Sequence, residues 1–94
     1  MASSPEGNDL TALFEVIRRQ FVAGLAERGR ALDEAHTPQQ LQAVLHRLAG
    51  AAGAFGYDTL GSMARQALQA SEADDGRLAW LLVELRSEMR RIAG

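Results

Sequence analysis

No cysteine occurs among the 94 residues, which excludes a disulfide framework, a thiolate zinc site and a cysteine nucleophile. A reducing cytoplasm fits that composition. Positive charge is not in excess either: 10 basic and 12 acidic residues are mixed along the chain, for a formal net charge of −2. That balance lacks the basic field that dominates nucleic-acid binding, so no nucleic-acid partner is expected. Met1 to Asp9 is polar, with no apolar core behind a basic start, and no secretory leader is expected there. The most apolar run, Leu78 to Leu85, is far below the roughly 20 residues that cross a bilayer, so no membrane partner is expected. Strand-like alternation of β-branched or aromatic residues is missing, and so is any internal repeat.

What is present is 47% hydrophobic residues in one domain's worth of chain, enough for an ordinary core without metal or disulfide staples. Residues 1–7 are small and polar and read as a disordered lead-in, and residues 8–94 as a single domain. Asn8 or Asp9 can cap a first helix with apolar positions Leu10, Leu13, Phe14, Ile17, Phe21, Leu25 and Leu32, which follow the helical period. Gly24 and Gly29 weaken its second half and predict a bend or break over residues 24–30. Thr37-Pro38 sets a capping hydroxyl before a first-turn proline, opening a second helix from Pro38 to about Phe55. Gly56 stops it, and Asp58 or Thr59 can cap a third helix reaching about Glu72. Ala-Asp-Asp-Gly76 makes the last turn, and a fourth helix carries Leu78, Leu81, Leu82, Leu85, Met89 and Ile92 on one stripe. Short links favour antiparallel neighbours, so the fold class is all-α, an antiparallel up-down four-helix bundle with the first helix bent or broken.

Function is read from the second helix. Leu41, Val44, Leu45, Leu48, Ala52 and Phe55 share one narrow stripe, the core face. His46 lies about 140° from the centre of that stripe and points to solvent. Around it stand Gln42, Ala43, Ala49, Gly50 and Gly53, where a solvated helix face would carry Glu, Lys and Arg. Gly50 and Gly53 each cost roughly 1 kcal/mol against alanine in a helix interior, and close approach of another surface accounts for such a cost. An imidazole free in water loses its proton near pH 6.5, so a nucleophilic ring nitrogen is plentiful at neutral pH. Such a nitrogen can attack an acyl phosphate on a partner's aspartate and return the group to another aspartate, with the partner's metal and acidic pocket supplying charge stabilisation.

The third helix has the core stripe Leu60, Met63, Ala64 and Ala67, which leaves Arg65 and Gln69 outward. With helices two and three paired about a turn near Tyr57, Gln69 comes level with His46 and Arg65 with Gly50. Arg65 would then attract phosphoryl charge and Gln69 would hydrogen-bond its oxygens or the ring.

The stretch from His46 to Leu60 (HRLAGAAGAFGYDTL) resembles the signature of histidine-containing phosphotransfer (HPt) domains. In that signature the phosphorylated histidine is followed by glycine four positions on, then small residues and a further glycine near the helix end. The resemblance covers residues 40–72 by motif and the other helices by architecture. It implies a bundle presenting His46 as phosphoacceptor, with Gln42, Ala43, Arg47, Ala49, Gly50 and Gly53 as a docking face and Arg65 and Gln69 as phosphoryl or partner contacts. The implied partners are response-regulator receiver domains and a hybrid sensor histidine kinase. The chain is then a cytoplasmic monomeric phosphocarrier without turnover of its own, needing neither cofactor nor metal. Ala49 departs from the pattern, because lysine is common there; Arg47 or Arg65 is the replacement charge at hand. The runner-up function is an HPt-like adaptor that binds receiver domains or kinases without transfer.

Other residues have plainer readings. His36, beside Thr37-Pro38, fits a local capping or solvated role, and the proline break removes any helical metal spacing to His46. Gly50 and Gly53 can alternatively admit close packing inside the bundle. Arg65 and Gln69 also read as ordinary polar surface. Trp80 is off the fourth stripe, placed to cover the first helix. Arg86, Arg90 and Arg91 complement a helix C-terminus, and Asp74-Asp75 belongs to a turn. No nucleophile–base–orienter set or cofactor loop marks a conventional enzyme.

Overall fold

The computed structural model describes residues 5–94, which form the helical segments α1 (Pro5–Ala23), α2 (Leu25–Glu34), α3 (Pro38–Ala54), α4 (Asp58–Glu72) and α5 (Leu78–Ala93). The first two are one helix bent by 36° at Gly24. Its hydrogen bonds run on through the bend, from the Gly24 N–H to the Gln20 carbonyl at 3.0 Å and from the Arg28 N–H to the Gly24 carbonyl at 3.1 Å. The architecture is therefore the four-helix bundle that the periodicities predict, with α2 against α3 and α5, and α4 closing the ring between them. No strand occurs among the described residues. No helix there is long and apolar enough to cross a membrane.

Local chemistry sets most boundaries. α1 starts at Pro5, ahead of Asn8, because proline's missing N–H is no loss at a first helical position. The remainder of the lead-in, residues 1–4, lies outside the described residues. At α3 the Thr37 hydroxyl accepts from the Gln40 N–H at 3.1 Å, and the Gln40 side-chain oxygen accepts from the His36 N–H at 2.7 Å. His36 thus serves the cap through its backbone. α3 ends in a Schellman turn: Gly56 adopts φ 82°, and the Tyr57 N–H donates to the Ala52 carbonyl at 2.9 Å.

α4 differs from the prediction at its start. Asp58 is itself the first helical residue, and Tyr57 before it supplies no side-chain cap, so Asp58 acts as acidic charge in the first turn. The turn after α4 is closed by Asp74 at φ 51°, not by Gly76; a short polar side chain tolerates that left-handed region.

The core joins Phe21, Leu25 and Leu32 of the bent helix to Leu45, Leu48 and Ala52 of α3, Leu60, Ala64 and Ala67 of α4, and Leu85 and Met89 of α5. Leu10, Leu13 and Phe14 do not join it: they are 67%, 55% and 43% exposed. Their stripe has the right period, but α1 runs past the end of the bundle, in a molecule measuring 61 × 21 × 20 Å. Trp80 is likewise 61% exposed.

Candidate functional site

α3 and α4 make the closest helix pair of the bundle. Gly61 of α4 is buried, and a Cβ added there would sit 3.5 Å from the Ala49 carbonyl oxygen and from the Gly53 nitrogen. Small Ala49 and Ala52 on the α3 side complete this seam, so the two backbones approach with no large side chain between them. The register is fixed by the Gln42 side-chain amide, which donates to the Ser71 hydroxyl across the seam at 3.1 Å. The two helices run antiparallel across that bond, and Arg65 and Gln69 of α4 both line the groove beside His46.

His46 is exposed, as its position opposite the core stripe requires. Beside it runs a groove of about 360 Å³ lined by His46, Ala49, Gly50, Arg65 and Gln69, together with Leu68 and Glu72. Six of the face residues fall in different places. Gly50 and Gly53 are open: a Cβ on either meets nothing within 4 Å, so neither serves packing inside the bundle. Ala49 is only 6% exposed and forms the groove floor, not part of its rim. Gln42 is half-buried and committed to Ser71. Ala43 and Arg47 are exposed, but they line a second depression with His36 and Gln40 on the α2 side of α3.

The sequence reading missed Leu68 and Glu72. Both could have been found, since Leu68 follows Arg65 by three positions and Glu72 follows Gln69 by three, the spacing of neighbours on one helix face. Neither Arg65 nor Glu72 has an ion-pair partner among the described residues. Seven residues separate them, about 10 Å along the axis. The groove beside His46 thus carries a cation and a carboxylate, neither of them ion-paired among the described residues. Among the described residues no group of three or more His, Asp or Glu side chains converges on a point.

Residues 7–94 match the family model of the Hpt domain, nearly the whole chain. No match was found among curated proteins or among solved structures. The family is one of helical phosphocarrier modules of two-component signalling, which work with receiver domains and kinases. A helical bundle with an outward histidine over a seam of glycine and alanine agrees with that match along its length, and the chain belongs to the Hpt domain family.

Proposed function

We propose that this chain is a phosphotransfer intermediate in a phosphorelay, with His46 as the phosphoacceptor between receiver-domain aspartates. The observation that carries the reading is the exposed imidazole beside a groove floored by Ala49 and Gly50 and flanked by Arg65 and Gln69. A receiver domain seats on the open glycine face around Gly50 and Gly53, bringing its aspartyl phosphate in line with a neutral ring nitrogen. The N–P bond forms as the acyl phosphate's P–O bond breaks, the aspartate leaves as carboxylate, and the ring proton passes to solvent. The reverse sequence delivers the group to a second aspartate. Such transfer asks for positioning and charge stabilisation more than for covalent assistance. Arg65 supplies the positive charge on this side, in the place of the lysine that the Ala49 position lacks. Gln69 offers an amide to the phosphoryl oxygens or to the ring. Arg47, on the far side of α3, contacts the docked partner.

The test is label transfer. Wild-type protein and His46→Gln are each mixed with a receiver domain carrying labelled aspartyl phosphate. Acid-labile label on the wild type and none on the variant is the expected result. Binding of equal strength in both, with no label on either, would replace the reading with an adaptor that docks receivers without transfer.

A further inference from the structure

α1 carries an apolar stripe that outruns the bundle. Leu10, Leu13, Phe14 and Ile17 continue, turn for turn, the stripe that Phe21, Leu25 and Leu32 bury in the bundle. Exposure along this one stripe rises from 2% at Leu25 and 5% at Phe21 to 43% at Phe14, 55% at Leu13 and 67% at Leu10. The last bundle side chains to meet it are Phe55, whose ring lies 6.1 Å from Phe14, and Tyr57, which stacks on Phe21. Beyond Phe14 the stripe lies open among the described residues.

We propose that α1 is a self-association helix, through which two copies of this chain pair antiparallel. A helix stripe continuous with a core is an interface missing its other half, and the stripe itself supplies that half. With the two-fold axis between Leu13 and Phe14, Leu10 of one copy meets Ile17 of the second, and Leu13 meets Phe14. The terminal charges agree with this direction: Asp9 stands at the start of the apolar stretch and Arg18 and Arg19 follow its end, while Glu15, in its second half, pairs with Arg18 of the same helix at 3.4 Å. Antiparallel pairing lays the acidic end of one helix beside the basic end of the other, and the helix dipoles oppose. A net charge of only −2 adds little repulsion between copies.

The exposed stripe presents on the order of 400 Å² of apolar surface, the size of patch that marks an interaction site. That is about half of the roughly 800 Å² per partner of a standard interface. The helix flanks and the bundle end around Phe55 make up the remainder, which gives a dimer that dissociates on dilution. The His46 groove lies between α3 and α4, away from the side on which the bent helix packs, so both phosphoacceptors stay open in the pair. The inference does not rest on the role assigned to His46.

Sedimentation of the whole chain across the micromolar range is the test. The expected mass is that of two chains at high concentration and one at low, and the Leu10→Glu, Leu13→Glu double variant stays at one chain throughout. Both positions are already exposed, so the variant keeps wild-type helicity and label transfer. Because the chain has no cysteine, direction can be read by oxidising an equimolar mixture of L10C and I17C proteins. Antiparallel pairing gives the mixed disulfide in excess, whereas L10C linked mainly to itself would overturn the arrangement. A single-chain mass at every concentration, or a double variant that still dimerises, would overturn self-association altogether.

Discussion

As the proposed phosphoacceptor, His46 would need open space on one side for an in-line donor and fixed charge nearby for the transferred group. Gly50 and Gly53, where an added Cβ would meet nothing within 4 Å, would give the space, and Arg65 in the same groove would give the charge. Glu72 in the same groove works against a dianionic phosphoryl group, so the two side chains are expected to act in opposite directions. Arg65→Ala should lower the equilibrium yield of phosphohistidine about five-fold, and Glu72→Gln should raise it about as much. Each change corresponds to roughly 1 kcal/mol of partly screened charge interaction. Quantifying phosphohistidine after equilibration with a phosphorylated receiver checks both, and both effects should shrink as salt is added. The direction of His46 was legible in the sequence because helical periodicity leaves a histidine so far from the leucine stripe no other place. Leu68 and Glu72 beside it were not read, because which α4 residues line the groove depends on how α3 and α4 pair.

At the scale of elements, the α3–α4 pair decides the geometry of the site, and its glycines divide into two kinds. Gly61 faces the seam with room for one methyl group, its would-be Cβ lying 3.5 Å from backbone atoms of α3. Gly61→Ala should be tolerated or add up to about 1 kcal/mol through helix propensity. Gly61→Leu should destabilise by about 1–3 kcal/mol by forcing the helices apart. Gly50→Lys, by contrast, should leave helical content nearly intact and impair receiver docking. Thermal melts and a binding titration separate these outcomes. The sequence pointed to Gly50 and Gly53 by their cost in a helix interior, but Gly61 looked like any helix residue until α3 was placed beside it.

The α4–α5 turn offers an electrostatic check at the same scale. Asp75 accepts hydrogen bonds from the Arg77 guanidinium and from its N–H, the latter at 2.9 Å. These bonds hold the Asp75 carboxyl below its ordinary value of 3.8. A carboxyl lowered in this way stabilises the fold above its unfolded pKa, and the contribution is lost as pH falls through the folded one. Asp75→Asn should therefore lower the melting temperature slightly near neutral pH. In strong acid, where the wild-type carboxyl is protonated too, the two melting curves should converge.

For the molecule as a whole, the pattern of the chain dictated the bundle, since each core stripe from α3 to α5 is the one its sequence period predicts. The bend in the first helix was foreseen over residues 24–30, from the helix cost of Gly24 and Gly29, and it falls at Gly24. What the pattern could not show is where the bundle ends. Leu10 and Leu13 carry the period of a core with no local sign that α3 and α4 turn back at Phe55–Tyr57, leaving α1 to run on alone. The loss of a lysine at Ala49 looked like a missing surface charge, whereas the position is floor and the charge beside the groove belongs to α4.

Phosphotransfer through His46 requires one ring nitrogen to acquire a phosphorus. Mapping the modified residue by mass spectrometry at neutral pH, after incubation with phosphoramidate or a phosphorylated receiver, addresses that directly. A single phosphoryl group on the peptide containing His46, absent from His46→Gln, is the predicted result. Modification at His36 instead, or label that survives the loss of His46, would contradict it.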